Sequence, residues 1–207
     1  MVLFARAFIL TRAGGLKKDS QICLTDTLAE DGVSITHAYF PALATCCGFL
    51  EYMTDLHRGR LNKSGWKDIV AWAGRYLPQP DYGEDIVRVL FDGFRHSVAH
   101  RGIATGIWLD RHGTGAVERR VTWKLFEDDE RPSCQLIDEV GHLTKDPPWP
   151  CPHTHRMHIH LKSLAEDLCT GANAYANDIR PDSELLSNFE RAMQTLYPRV
   201  QTRASDA

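Results

Sequence analysis

In GEDIVRVLFDGFRHSVAH, residues 83–100, the apolar side chains Ile86, Val87, Leu90, Phe91, Phe94 and Val98 recur at three- and four-residue intervals. That spacing lays them along one face of an α-helix, and a helix with an apolar face needs a second layer to cover it. The pattern predicts a helix over 84–101 with Gly102 as a left-handed C-cap. Two more helical stretches precede it. VSITHAYFPALATCCGFLEYMTDLHRG is almost continuously apolar up to Asp55 and predicts a helix near 33–58. Asp31 and Ser34 are its candidate caps, Pro41 marks a kink or its first turn, and Gly59 is its stop. WKDIVAWAGRYL predicts a helix near 65–77, capped by Ser64 and closed by Pro78 and Pro80. After Lys162 the helical texture returns. SLAEDLCTGANAYANDI predicts a helix near 162–178, with Ser163 and Glu166 as a capping box. DSELLSNFERAMQTLY predicts one near 182–197, capped by Asp182 or Ser183.

Between the helical blocks the chain changes character. IATGIWLDRHGTGAVERRVTWKLFED holds two β-leaning runs around a GTG turn. CQLIDEV reads as a third strand, DPPWPCP as a rigid loop, and MHIHL as a further short strand. The expected fold class is therefore mostly α: an antiparallel helical bundle, with a small antiparallel β insertion at about 103–161. A chain of 207 residues suits a single domain over 1–207 with such an insertion. MVLFARAFILTR is read as a short strand or helix packed on that domain. Arg6 interrupts it, no small-residue cleavage site follows, and it is too short to span a bilayer. The six cysteines are scattered with no CxxC pair, which favours free thiols in a reducing compartment and a cytoplasmic location. The net charge of −3 lacks the overall basic excess typical of nucleic-acid binders, although local basic patches remain open.

FDGFRHSVAHRG, residues 91–102, carries the most chemistry in the least space. On a continuous α-helix Asp92, His96 and His100 share a face. Arg95 and His100, five apart, diverge by about 140° at about 100° per residue. They converge only if the last turn distorts, or if each meets its counterpart from a second protomer.

FRHSVAHRG resembles the motif of HEPN-domain proteins: an arginine, a polar residue, and a histidine after four to six intervening residues. Here these are Arg95, His96 and His100, with His96 where the family most often has asparagine. GFLEYMTDL, with Glu51 inside an apolar run, is similar to the acidic residue that members often carry in an early helix. The resemblance covers roughly 33–101 and 162–197 and excludes the β insertion. It implies an antiparallel helical bundle that dimerises, so that two motif copies form one composite site near the dimer axis. Many members are metal-independent endoribonucleases of toxin, phage-defence or RNA-processing systems, and others have lost activity. The implied site residues are Arg95, His100 and His96, supported by Glu51, Ser97 and Asp92. The implied partners are single-stranded RNA, a second copy of the chain, and an antitoxin or other protein, with no cofactor and no membrane.

Attack by the 2′-OH of RNA requires a base, an acid for the leaving 5′-oxygen, and a cation beside the phosphorane. Histidine can do either proton task near neutrality, and arginine can hold two phosphate oxygens. A helix C-terminus favours imidazolium, which suits His100 as an acid or clamp better than as a base. The motif thus predicts that Arg95 and His100 line one polar pocket, facing a dimer interface or an open cleft, with His96 and Ser97 beside them. The competing reading is structural. Cationic residues are common in a last helical turn, and Arg95 can pair with Asp92 or Glu51. That reading gives a non-catalytic helical module that dimerises and binds a partner protein or nucleotide.

Four other features are weaker. In CPHTHRMHIH the alternation of Cys151, His153 and His155, and of His158 and His160, puts each set on one face of an extended strand. Such residues suit zinc, but their spacing matches no standard zinc pattern, so the default expectation is no metal. Arg111, Arg119 and Arg120 flank the predicted hairpin tip and, with Arg101, are candidate contacts to RNA phosphates. Cys46 and Cys47 sit mid-helix among apolar residues and read as buried, inert thiols. Trp108 and Trp123 fall in the hairpin, where aromatics pack across strands.

Overall fold

The computed structural model describes residues 1–28, 35–36, 38–61, 64–96, 108–110, 119–143 and 152–197. Within these, six helices and a four-stranded sheet make a mostly helical molecule. In chain order they are α1 (Val2–Cys23), the short pair β1 (Thr27–Leu28) and β2 (Ile35–Thr36), α2 (Tyr39–Arg58) and α3 (Trp66–Tyr76). Then come α4 (Glu84–Arg88, continued by a π-helical segment Val89–Arg95), β3 (Trp108–Asp110), β4 (Arg119–Phe126), β5 (Cys134–Leu143), β6 (Pro152–His160), α5 (Leu161–Asp178) and α6 (Glu184–Leu196). No described helix is long and apolar enough to cross a membrane.

The opening segment is a full 22-residue helix rather than a short element. Ala5, Ile9, Ala13, Leu16 and Ser20 are its buried residues, recurring every three or four positions. Arg6 anchors its start by donating to the carbonyl of Ile179 at 2.9 Å, beyond the end of α5. Helix α2 begins at Tyr39, later than the predicted 33, because residues 35–36 pair with 27–28 as β1 and β2. Pro41 accordingly falls in the first turn, where its missing N–H costs nothing. The helix ends as predicted at Gly59, with φ 69°. Three caps differ from expectation or narrow it. Gly65, not Ser64, caps α3, and its N–H donates to Asp68 at 3.2 Å. Helix α5 begins at Leu161, one residue before the predicted 162 and with His160 as its N-cap, so Ser163 lies in its first turn and donates to the carbonyl of Glu130 at 2.8 Å. At α6 the cap is Ser183, whose Oγ accepts from Leu186 N–H at 3.2 Å.

The sheet has the order β3–β4–β6–β5 and is mixed, which corrects the expectation of a purely antiparallel insertion. β3 with β4 and β5 with β6 are antiparallel, but β4 and β6 run parallel, with Val121 opposite His155 and Phe126 opposite His160. The physical reason is the connection at 127–133. It arches over the end of β6 to start β5 one strand further out, leaving a gap that β6 fills before running straight into α5. A purely local reading assumes that successive strands pair, and here β4 and β5 do not.

One face of the sheet closes the core. Val121, Met157 and Ile159 are buried, and Trp123 meets the fully buried Phe94 edge-on with ring centroids 5.5 Å apart. A single apolar cluster joins α1, α2, α3, α4, α5, α6 and this sheet face, with Trp72, Tyr82, Tyr175 and Phe189 among its largest members.

Two polar networks pin the sheet to the helices. Arg88 of α4 forms a two-pronged bond to Asp110 of β3, both contacts 2.8 Å, with the two side chains 5% and 0% exposed. Arg119 of β4 donates to the same carboxylate at 2.9 Å and to Asp85 at 3.1 Å. In the second network Tyr82 Oη and Ser133 Oγ donate to Asp167 of α5 at 2.8 and 2.6 Å, and Arg131 joins the same carboxylate. Both charges of the buried Arg88–Asp110 pair have hydrogen-bonding partners, the condition under which such a pair is tolerated in a core.

Candidate functional site

Helix α4 departs from α geometry just before the Arg/His motif. Its last described turns are π-helical, and the N–H of His96 bonds to the carbonyl of Phe91, five residues back. Single π turns inside α-helices are rare and concentrate at functional sites. Of the motif, Asp92, Arg95 and His96 are described; Ser97, His100 and Arg101 lie outside the described residues, as do Arg111 and Cys151.

Arg95 ends the π segment and forms an ion pair with Glu51 of α2. The side chains are 28% and 15% exposed, so the pair is half-buried with one side open. The guanidinium also lies over the Phe91 ring, 5.6 Å from its centroid, close enough for a cation–π contact. One turn back from Glu51, Cys47 is buried. Burial pushes its thiol up to about 12, Arg95 opposing and Glu51 adding to the shift. Cys46 is likewise raised well above the ordinary thiol value by burial, so neither is a thiolate nucleophile at neutral pH. His96 is exposed at the helix surface and Asp92 is half-buried. The structure therefore brings Arg95 and Glu51 together, as one of the sequence readings anticipated, with an exposed imidazole as the next residue.

Of the basic residues read as phosphate contacts, Arg119 is taken by carboxylates. It is 13% exposed and held between Asp110 and Asp85, because β4 delivers it against the α4–β3 clamp. Arg120 is half-buried, and its backbone N–H donates to Thr154 Oγ1 at 2.9 Å.

Strand β6 separates the histidine set as its alternation requires. His153 and His155 share a face with Met157 and Ile159, and His155 reaches Asp138 at 2.9 Å. His158 and His160 lie on the other face, packed on Phe126 with centroids 5.3 and 4.6 Å away. The four therefore do not converge. His160 instead bonds to Asp128, and Asp128, Glu130 and His160 offer three potential ligand atoms within 4.8 Å of one another. These two acidic residues sit on the arching loop, and no local sequence signal pairs that loop with the end of β6.

Sequence reasoning also missed a basic pocket at the far end of α2, lined by His57, Arg58, Arg60, Arg75 and Arg191. Its arginines come from three separate helical regions, so only the fold assembles them. No family model, curated protein or solved structure matches the chain.

Proposed function

We propose that the chain is a metal-independent endoribonuclease of the HEPN-like kind, acting on single-stranded RNA as a homodimer. The observation that carries the reading is the Arg95–Glu51 pair. An arginine of the motif is held by a carboxylate from an early apolar helix, half-open to solvent, at the end of a π-distorted helix. Held from one side, a guanidinium retains N–H donors for phosphate oxygens. In the proposed reaction the 2′-OH attacks the adjacent phosphorus and the 5′-oxygen leaves. Arg95 stabilises the phosphorane charge, His96 takes the 2′-OH proton as base, and His100 delivers a proton to the leaving oxygen. The products are a 2′,3′-cyclic phosphate and a 5′-hydroxyl. A partner protein such as an antitoxin would restrain this activity.

The same ion pair supports a second reading. If Glu51 fully neutralises Arg95, the helical domain is a non-catalytic dimerisation or binding module. A labelled-RNA cleavage assay separates the two. The nuclease reading expects cleavage that is lost in Arg95→Ala and His100→Ala while circular dichroism stays unchanged. Activity that survives His100→Ala, or a wild-type chain with no activity, overturns it.

A further inference from the structure

We propose that the pocket between the C-terminal end of α2, α3 and α6 binds a terminal phosphate group. This inference does not rest on the nuclease reading. The pocket is polar and has a volume of about 220 Å³. That is smaller than the several hundred Å³ of sites that enclose a whole drug-sized ligand, and suits a phosphate or diphosphate head with the rest of the molecule outside.

Four arginines line it, and among the described residues two of them are paired with carboxylates. Arg58 pairs with Asp68 at 3.1 Å through Nε, and Arg75 with Asp178 at 2.9 Å through one terminal nitrogen. Each keeps further N–H donors. Among the described residues Arg60 and Arg191 have no ion-pair or side-chain hydrogen-bond partner, and both are exposed. Glu184 is the carboxylate among the lining residues and also has no partner among the described residues, so the lining stays net positive. Planar guanidinium forks suit the several oxygens of a phosphate, whereas a carboxylate offers only two.

The pocket is shaped by backbone contact rather than by chance approach of long side chains. Gly59, at φ 69°, lets α6 come so close that a Cβ there would lie 2.9 Å from Asn188 Cα and O. Asn188 in turn donates from Nδ2 to the carbonyl of His57 at 2.9 Å. This contact sets Arg58 and Arg60 opposite Arg191. His57 forms part of the wall, and its Nε2 is buried without a hydrogen-bond partner. Burial lowers its pKa first, then Arg75 and Arg58, with Glu184 and Asp178 acting in the opposite sense. A bound anion would offset the two arginines and raise it.

The test is calorimetric titration of the full chain in phosphate-free buffer. The probes are inorganic phosphate, pyrophosphate, a 5′-phosphorylated dinucleotide and its unphosphorylated twin. Saturable binding that requires the phosphate, and that weakens about tenfold in each of Arg60→Ala and Arg191→Ala, is expected for the loss of a charge-assisted contact. Lys17→Ala, in a separate pocket of about 170 Å³, should bind as the wild type does. Equal affinity for inorganic phosphate and the phosphorylated dinucleotide would assign the pocket to free phosphate; tighter binding of the dinucleotide would assign it to a nucleic-acid end. The His57 imidazole, followed by NMR, should titrate at higher pH when the ligand is bound. No saturation, binding of the unphosphorylated twin as tightly, or unchanged affinity in both arginine variants would overturn the proposal.

Discussion

On the proposed nuclease reading, Arg95 contributes more to the chemistry than to the fold. A half-exposed ion pair contributes roughly 0–1 kcal/mol, because water screens it and both side chains lose freedom. Glu51→Gln should therefore shift the urea midpoint little. If Arg95 is the phosphate clamp, the same change should lower RNA cleavage by releasing the guanidinium from its position. A large loss of stability with unchanged cleavage would assign the pair to structure alone. Gly59 is the opposite case. Alanine there must adopt a left-handed φ and push into the Asn188 backbone, which should cost about 1–3 kcal/mol in denaturant unfolding. His57 gives a pH signature. Its folded-state pKa lies below the ordinary 6.5, so as pH falls through that value the unfolded chain takes up a proton before the folded one does. Its contribution is complete above 6.5 and is lost as pH drops toward the folded value. Thermal melts in phosphate-free buffer should show this acid-side loss in wild type and less of it in His57→Gln.

At the level of elements, the buried polar join between α4 and the sheet centres on one carboxylate. Asp110 serves both Arg88 and Arg119, and it is fully buried. Removing one member of a buried pair strands the other, so Asp110→Ala should cost about 3–5 kcal/mol in urea unfolding. A loss below about 1 kcal/mol would mean that water replaces the carboxylate and that the clamp is not what holds the insertion. The elements were legible where periodicity is local. Gly59 and Ser183 ended and began helices as their types suggest, and the apolar spacing of 84–96 marked α4. The π turn was not legible, because the three- and four-residue apolar spacing over 86–98 fits an uninterrupted α-helix. Nor was Arg119's role: an arginine near a hairpin turn looks solvent-facing until the fold brings Asp85 and Asp110 to it.

For the whole molecule, a mostly helical fold with a small sheet followed from texture, whereas the mixed topology did not. The parallel β4–β6 pair depends on a seven-residue arch and on β6 continuing into α5, both tertiary facts. The same arch creates the Asp128, Glu130 and His160 cluster, and the α2–α6 contact creates the basic pocket; neither set is contiguous in sequence. The Arg95–Glu51 pair was legible because an acid in an apolar run needs a cation, and α4 supplied a nearby one. The proposed activity turns on whether this pair and His100 cut RNA without a metal. It is tested most directly by incubating the purified chain with single-stranded RNA in excess EDTA and identifying the new ends by mass spectrometry. The nuclease reading predicts undiminished cleavage, with 2′,3′-cyclic phosphate and 5′-hydroxyl ends. Cleavage that stops in EDTA, or that leaves 5′-phosphate ends, would contradict it.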